Sequence, residues 1–188
     1  IKQSQSLLMT PQLRQAMLSA IACANDAIRQ EAARNAEYQH MGTTLVCAVA
    51  RSDMAIIGNI GDSRAYHITP EGIFQISRDH SVVENMVAKG DLTPLEARTH
   101  PNRNLITRAL GPDIHAKADT FELPWHKDEF LLLCSDGLVN TVSDQEMLFE
   151  VLHDGDVNEC LDHLLQISLQ RGAPDNITAV LLLNEEGR

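Results

Sequence analysis

Apolar residues in the first part of the chain recur at steps of three and four positions. The residues that do so are Leu13, Met17, Ile21, Ala24 and Ile28. This spacing places them on one face of an α-helix. Thr10 and Pro11 can begin that helix, because Thr caps a helix N-terminus and Pro is tolerated at the first helical position. The pattern predicts a helix from about residue 11 to about residue 35.

Short apolar runs replace the helical pattern after residue 42. The runs, all rich in strand-forming side chains, are residues 44–50, 54–60, 64–69 and 73–76. Arg51-Ser52-Asp53 and Pro70-Glu71-Gly72 are typical of tight turns, and Gly61-Asp62-Ser63 interrupts the second and third runs. The pattern predicts four consecutive strands in one antiparallel meander.

The rest of the chain mixes helical and strand patterns. Residues 79–111 are interpreted as an insertion of short helices, one of them introduced by Thr93-Pro94. Further strands are predicted over residues 116–123, 129–134 and 177–183, and further helices over residues 143–152 and 157–170. Antiparallel strands flanked by helices indicate a layered α+β fold.

Composition and charge narrow the possible partners. The 188 residues carry 15 Lys and Arg against 26 Asp and Glu, a net charge of −11 that disfavours nucleic-acid binding. No apolar run reaches the roughly 20 residues of a membrane span, and no secretory leader pattern opens the chain. Cysteines without a CxxC pair are typical of a reducing compartment, so we expect a cytoplasmic protein. The cysteines predicted to pack as small hydrophobes are Cys23, Cys47, Cys134 and Cys160.

Three aspartates are candidates for chemistry. Asp62, Asp136 and Asp175 each lie beside the end of an apolar strand, next to Gly, Ser or Asn. Carboxylates at several strand ends can converge on a hard cation, which prefers oxygen ligands. The alternative is that Asp simply favours turns, because its side chain bonds nearby backbone groups. The pattern alone leaves both interpretations open.

Several local strings make a more specific case. In chain order they are Met41-Gly42-Thr43-Thr44-Leu45, Gly61-Asp62-Ser63-Arg64-Ala65-Tyr66, Asp79-His80-Ser81, His100-Pro101-Asn102-Arg103-Asn104, Thr107-Arg108-Ala109-Leu110-Gly111, Leu133-Cys134-Ser135-Asp136-Gly137-Leu138 and Pro174-Asp175-Asn176-Ile177-Thr178. Together they closely resemble the bacterial form of the metal-dependent protein serine/threonine phosphatases of the 2C type. The resemblance covers about residues 15–184.

The resemblance carries implications for fold, cofactor and partners. It implies a four-layer sandwich of two antiparallel sheets between helix pairs, with Mn²⁺ or Mg²⁺ at one edge. Asp136 and Asp175 correspond to metal ligands, and Asp62 corresponds to a residue that helps hold a third, weaker metal. Residues 79–111 correspond to a flap beside the active site. The implied activity is hydrolysis of phosphoserine and phosphothreonine in proteins, among them a serine/threonine kinase. Asn176 and Thr43 correspond to supporting or packing positions.

Two further strings of the family, R-x-x-N-E-D and D-G-M-G-G-H, do not occur in these 188 residues. They supply other ligands and core strands, so residues 18–188 are expected to form a partial phosphatase domain with N-terminal strands missing. Asn140 also stands where relatives often carry Asp. Three explanations stay open: a fragment, a non-catalytic binding or regulatory module, or ligands from a second chain, as in a swapped dimer joined through exposed sheet edges.

Residues 1–17 form an N-terminal segment of uncertain role. The stretch from Gln3 to Leu13 is similar to the start of sigma-54 transcription factors, a segment that touches RNA polymerase. A generic amphipathic helix is the alternative.

Overall fold

The structure is a computed structural model, and it describes residues 10–153 and 156–186. The helices are α1 (Thr10–Arg34), α2 (Val82–Lys89), α3 (Pro94–Thr99), α4 (Asp136–Val139), α5 (Asp144–His153) and α6 (Val157–Gln170), with a 3₁₀ turn at Ala36–Tyr38. The strands are β1 (Leu45–Ala50), β2 (Met54–Ile60), β3 (Arg64–Thr69), β4 (Gly72–Gln75), β5 (Asp119–Pro124), β6 (Phe130–Cys134) and β7 (Ala179–Leu183).

The strands form two antiparallel sheets rather than one meander. One sheet has the order β1-β2-β5 and the other β4-β3-β6-β7. The prediction that four consecutive strands pair in series is therefore wrong between β2 and β3, where the chain crosses from one sheet to the other. The crossing is made at Gly61, whose φ of +106° favours glycine. An added Cβ there would also lie 2.3 Å from Thr44 Cγ2, so only glycine fits.

Alternating residues of the strands separate three apolar layers. Ala55 and Ile57 of β2 face Ala65 and Leu131 in the space between the two sheets. On the opposite face of β2, Ile56 and Ile60 pack against Met17 and Ile21 of α1. On the outer face of the second sheet, Tyr66, Ile68 and Leu132 pack against Met147, Val151 and Leu164 of α5 and α6. This helix–sheet–sheet–helix order is the predicted α+β sandwich.

Helix predictions agree closely with the structure. Helix α6 spans the predicted residues, α1 begins and ends one residue early, and Thr93 forms a capping box with Glu96. In the described residues the first sheet is covered by α1 and the second by the α5–α6 pair. Cys134 and Cys160 are buried as predicted, but Cys23 is exposed. That prediction is wrong because Cys23 lies on the helix face opposite Ile21.

Residues 79–111 lie between β4 of the second sheet and β5 of the first sheet. They carry α2 and α3, and the two ends of the segment meet: the Thr107 N–H donates to the His80 carbonyl oxygen at 2.7 Å. We keep the name flap for residues 79–111. Among the helices of residues 10–153 and 156–186, none combines the length and the apolar character that crossing a bilayer requires.

Candidate metal centre

The register of the second sheet brings the three aspartates to one edge. Arg64, the first residue of β3, pairs with Cys134, the last residue of β6, and Cys134 pairs with Ala179, the first of β7. Asp62 comes two residues before β3 and Asp136 two residues after Cys134. Asp175 comes four residues before β7. Antiparallel pairing therefore places all three loops at the same end of the sheet.

These aspartates line a single cleft with a volume of about 1000 Å³. Asp62 and Asp136 are half-buried, whereas Asp175 is exposed at the surface of the cleft. The flap forms another wall, to which Val87 of α2 and Arg98 of α3 contribute. Loops clustered at strand ends, beside an insertion such as the flap, are a common setting for binding sites.

Burial and mutual repulsion disfavour the charged carboxylates. Burial, followed by the charge of Asp136, raises the pKa of Asp62 to about 6 from its ordinary value of 3.8. Burial, followed by the charge of Asp175, raises the pKa of Asp136. Like charges held together in this way are relieved by a bound cation. The electrostatics of the cleft therefore suit a positive ligand.

The donor set fits a hard divalent ion. All three side chains offer carboxylate oxygens, which Mg²⁺ and Mn²⁺ prefer. Within the part of the chain that the structure describes, no three acidic, His or Cys side chains approach closely enough to surround one ion directly. That these carboxylates hold one ion together stays a prediction. Mg²⁺ keeps several of its waters in protein sites, so it does not require three direct protein ligands.

Two tight turns hold Asp136 and Asp175 next to each other. The Ser135 hydroxyl donates to the Asn176 carbonyl oxygen at 3.2 Å, and it accepts the Thr178 N–H at 3.0 Å. The Ser135 N–H also donates to the Thr178 carbonyl oxygen at 2.9 Å. Asn176 therefore supports the site through its backbone. The sequence interpretation did not assign a role to Ser135, although it stands inside the Ser-Asp-Gly string.

Arg64 and Asp79 form a partly buried ion pair that the sequence interpretation missed. The Arg64 Nε donates to both Asp79 carboxylate oxygens at 3.0 Å, and its Nη2 donates to Oδ2 at 2.7 Å. A fourth hydrogen bond runs from Nη1 to the Tyr66 hydroxyl at 3.0 Å. Burial opposes the charge, but the hydrogen bonds to Asp79 raise the pKa of Arg64 overall. This pair ties the start of β3 to the start of the flap, beside Asp62.

The remaining candidates have smaller roles. Asn140 Nδ2 donates to Asp136 Oδ2 at 3.4 Å and so orients that carboxylate. An Asp at position 140 would instead repel the Asp136 carboxylate. Thr43 forms a two-bond backbone bridge to Leu110, with N–H to oxygen distances of 3.0 and 2.8 Å, and lies outside the cleft lining. Thr43 therefore has a packing role rather than a supporting role in the cleft.

Comparison with known proteins defines the class. The family model for protein phosphatase 2C matches residues 2–181. The chain therefore belongs to the protein phosphatase 2C family, a class of metal-dependent serine/threonine phosphatases. The family match runs through residues 2–17. Residues 1–9 lie outside the described residues, and the similarity to sigma-54 factors stays a prediction.

Individual relatives agree with this assignment. The serine/threonine phosphatase stp of Listeria monocytogenes is 33% identical over 190 residues, which cover 100% of this chain and 75% of that protein. The serine/threonine protein phosphatase PstP of Mycobacterium tuberculosis is 35% identical over 87% of this chain and 31% of its own length. The crystal structure of Stp1 from Staphylococcus aureus superposes with a TM-score of 0.89 at 38% identity, covering 96% of this chain and 71% of that one.

Proposed function

We propose that the cleft hydrolyses phosphoserine and phosphothreonine in proteins with the help of Mn²⁺ or Mg²⁺. Asp136 and Asp175 are the proposed ligands of two tightly held metals, and Asp62 is the proposed ligand of a third, weaker ion. The observation that carries the proposal is the meeting of these three carboxylates at one sheet edge, in one cleft.

A bound divalent ion lowers the pKa of its water and neutralises charge on the phosphoryl oxygens. The protein contributes the geometry. Asn140 orients the Asp136 carboxylate, and Ser135 holds the backbone of the Asp175 loop against the Asp136 turn. Arg64 neutralises Asp79, so that Asp79 adds no net charge to the cleft. The proposed ligands Asp136 and Asp175 therefore stand on loops that are hydrogen-bonded to each other.

The flap supplies basic groups for an anionic substrate. Arg98 and Arg103 line the cleft, and both are exposed. A phosphoprotein that enters the cleft would meet these guanidinium groups, which suit phosphate oxygens. We propose residues 18–188 as the phosphatase domain, residues 79–111 as its substrate-facing flap, and a serine/threonine kinase among its substrates.

Compartment and assembly are part of the same proposal. The cysteines at positions 23, 47, 134 and 160 form no disulfide, which suits a reducing cytoplasm. Within the described residues, β1, β5, β4 and β7 are edge strands, and such edges can pair with a second chain. A dimer through one of these edges is the proposed assembly.

Hydrolysis of p-nitrophenyl phosphate and of a phosphothreonine peptide, each in Mn²⁺ and in EDTA, tests the activity. We expect metal-dependent turnover that Asp136→Asn removes. The matched control is Asp162→Asn, because Asp162 is exposed on α6 and outside the cleft lining. Absence of metal-dependent turnover in a protein shown to be folded would overturn the proposal and favour a non-catalytic binding module.

A further inference from the structure

His80 is a buried side chain that the proposed metal site does not use. It is 5% exposed and lies at the start of the flap. Its backbone N–H donates to the Gly61 carbonyl oxygen at 2.8 Å. Its Nδ1 accepts the Gly61 N–H at 3.1 Å. One residue therefore bonds both polar groups of Gly61, the residue immediately before Asp62.

The other side of the imidazole ring is anchored as well. Nε2 lies 3.2 Å from Asp119 Oδ2 in β5, and Asp119 Oδ1 accepts a hydrogen bond from Arg108 Nη1 at 2.9 Å. Because Nδ1 accepts the Gly61 N–H, the neutral ring carries its proton on Nε2, which faces Asp119 Oδ2 and also lies 3.1 Å from Arg108 Nη1. The tautomer and the ring plane are both determined by these contacts.

Gly61 needs such an anchor because of its conformation. Its φ of +106° turns the chain from β2 toward β3, and the direction of that turn sets where Asp62 points. Asn59 adds to the same contact, since its Nδ2 donates to the Arg78 carbonyl oxygen at 3.0 Å. The turn before Asp62 is thus tied to residues 78–80 through both Asn59 and Gly61.

We propose that His80 is a positioning residue that holds the Asp62 carboxylate in place through Gly61, and so sets the affinity of the ion bound there. The proposal rests on the proposed function, because Asp62 is a proposed metal ligand. The backbone carbonyl oxygen of His80 also accepts the Thr107 N–H at 2.7 Å, so the same residue joins both ends of the flap to the metal loop. The backbone of His80 closes the flap, and its imidazole ring and backbone N–H connect that junction to Gly61.

Two substitutions separate positioning from packing. In His80→Asn, the amide oxygen can occupy the place of Nδ1 and accept the Gly61 N–H. In His80→Gln, the longer amide reaches the place of Nε2 and Asp119 instead, and the Gly61 N–H loses its acceptor. Each variant removes a similar part of the ring, so a loss of packing alone affects both alike.

The first measurement is Mn²⁺ binding, monitored by calorimetry and by the Mn²⁺ paramagnetic resonance signal. The second is deuterium exchange of the peptide that contains Gly61 and Asp62. We expect His80→Gln to weaken the lowest-affinity Mn²⁺ site about tenfold and to speed exchange of that peptide about tenfold, the effect of one lost hydrogen bond. We expect His80→Asn to stay within about threefold of the unaltered protein in both measurements.

Equal losses in the two variants, or unchanged exchange in His80→Gln, would overturn the positioning role. The exchange measurement is made on metal-free protein and does not depend on catalysis. If the unaltered chain binds no Mn²⁺, the proposed function fails. In that case, faster deuterium exchange in His80→Gln alone still supports the hydrogen bond between His80 and Gly61.

Discussion

Gly137 and Asn176 touch so closely that no side chain fits between them. A Cβ added to Gly137 would lie 2.3 Å from the Asn176 carbonyl oxygen and 3.3 Å from Ile177 Cγ1. The two residues directly follow Asp136 and Asp175. The distance between the two proposed ligands therefore depends on a contact between two backbones.

Gly137→Ala is expected to push the two turns apart. We expect a loss of about 1–3 kcal/mol in the free energy of unfolding, the usual cost of overpacking, together with weaker Mn²⁺ binding. Urea unfolding and calorimetric titration with Mn²⁺ measure the two effects. The control is Gly90→Ala, because Gly90 has φ +81° and open space around it, so that substitution strains the backbone without a clash. Equal Mn²⁺ affinity in Gly137→Ala and the unaltered chain would contradict the argument.

Asp136→Asn and Asp175→Asn are each expected to abolish metal-dependent turnover. Replacement of a carboxylate by an amide removes the charge that attracts a divalent ion. Turnover of p-nitrophenyl phosphate at saturating Mn²⁺, with circular dichroism to confirm folding, measures the effect. Full turnover in both variants would refute the ligand assignment.

Asp62→Ala is expected to behave differently. We expect turnover to fall by about tenfold or more, a barrier increase of at least about 1.4 kcal/mol, while the tighter metal sites keep their affinity. The reason is that Asp62 is the proposed ligand of the weaker ion alone. A titration that resolves the sites separately checks this, and loss of the tighter sites would count against the assignment.

The Arg64–Asp79 pair is expected to contribute to stability through its geometry. The Arg64 and Asp79 side chains are 28% and 12% exposed, so removal of the arginine leaves a largely buried carboxylate. We expect Arg64→Ala to cost about 3 kcal/mol and Arg64→Lys to recover only part of it, because lysine cannot form the two-pronged contact.

Arg78→Ala is the matched control, since Arg78 and Glu84 are 52% and 36% exposed and such surface pairs contribute about 0–1 kcal/mol. Thermal and urea unfolding compare the three variants. A loss in Arg78→Ala as large as in Arg64→Ala would show that the pair at Asp79 has no special role.

Stability of the metal-free protein is expected to depend on pH through Asp62. Its pKa is about 6 in the folded chain and 3.8 ordinarily, so between these values the folded state holds more protons than the unfolded state. The contribution of Asp62 to the free energy of unfolding therefore falls as the pH rises from about 4 to about 6, and it stays lower above pH 6.

Asp62→Asn is expected to flatten this fall and to make the metal-free protein more stable at pH 7.5 than the unaltered chain. Mn²⁺ is expected to stabilise the unaltered chain more at pH 7.5 than at pH 5, because deprotonated carboxylates bind the ion. Melting temperatures at both pH values, in EDTA and in Mn²⁺, measure both effects. A steeper pH dependence in Asp62→Asn would contradict the assignment.

Local pattern was sufficient to predict most elements, and it made three aspartates candidates whose role as metal ligands stays a prediction. Helix α1 agrees with the three- and four-residue spacing of apolar residues from Leu13 to Ile28. Helix α3 begins at the capping signal Thr93-Pro94. Asp62, Asp136 and Asp175 were recognisable because each stands in a short string beside a strand. Such features depend on neighbours in the chain, which a sequence displays directly.

The pairing partners of the strands were decided by the tertiary structure. Gly61 predicts a break, but whether the chain makes a hairpin or crosses to another sheet depends on which faces of β2 and β3 are covered by distant elements. The same holds for Arg64 with Asp79 and for His80 with Gly61 and Asp119. These contacts join residues up to 39 positions apart, and only the packing of two sheets brings them within hydrogen-bonding distance.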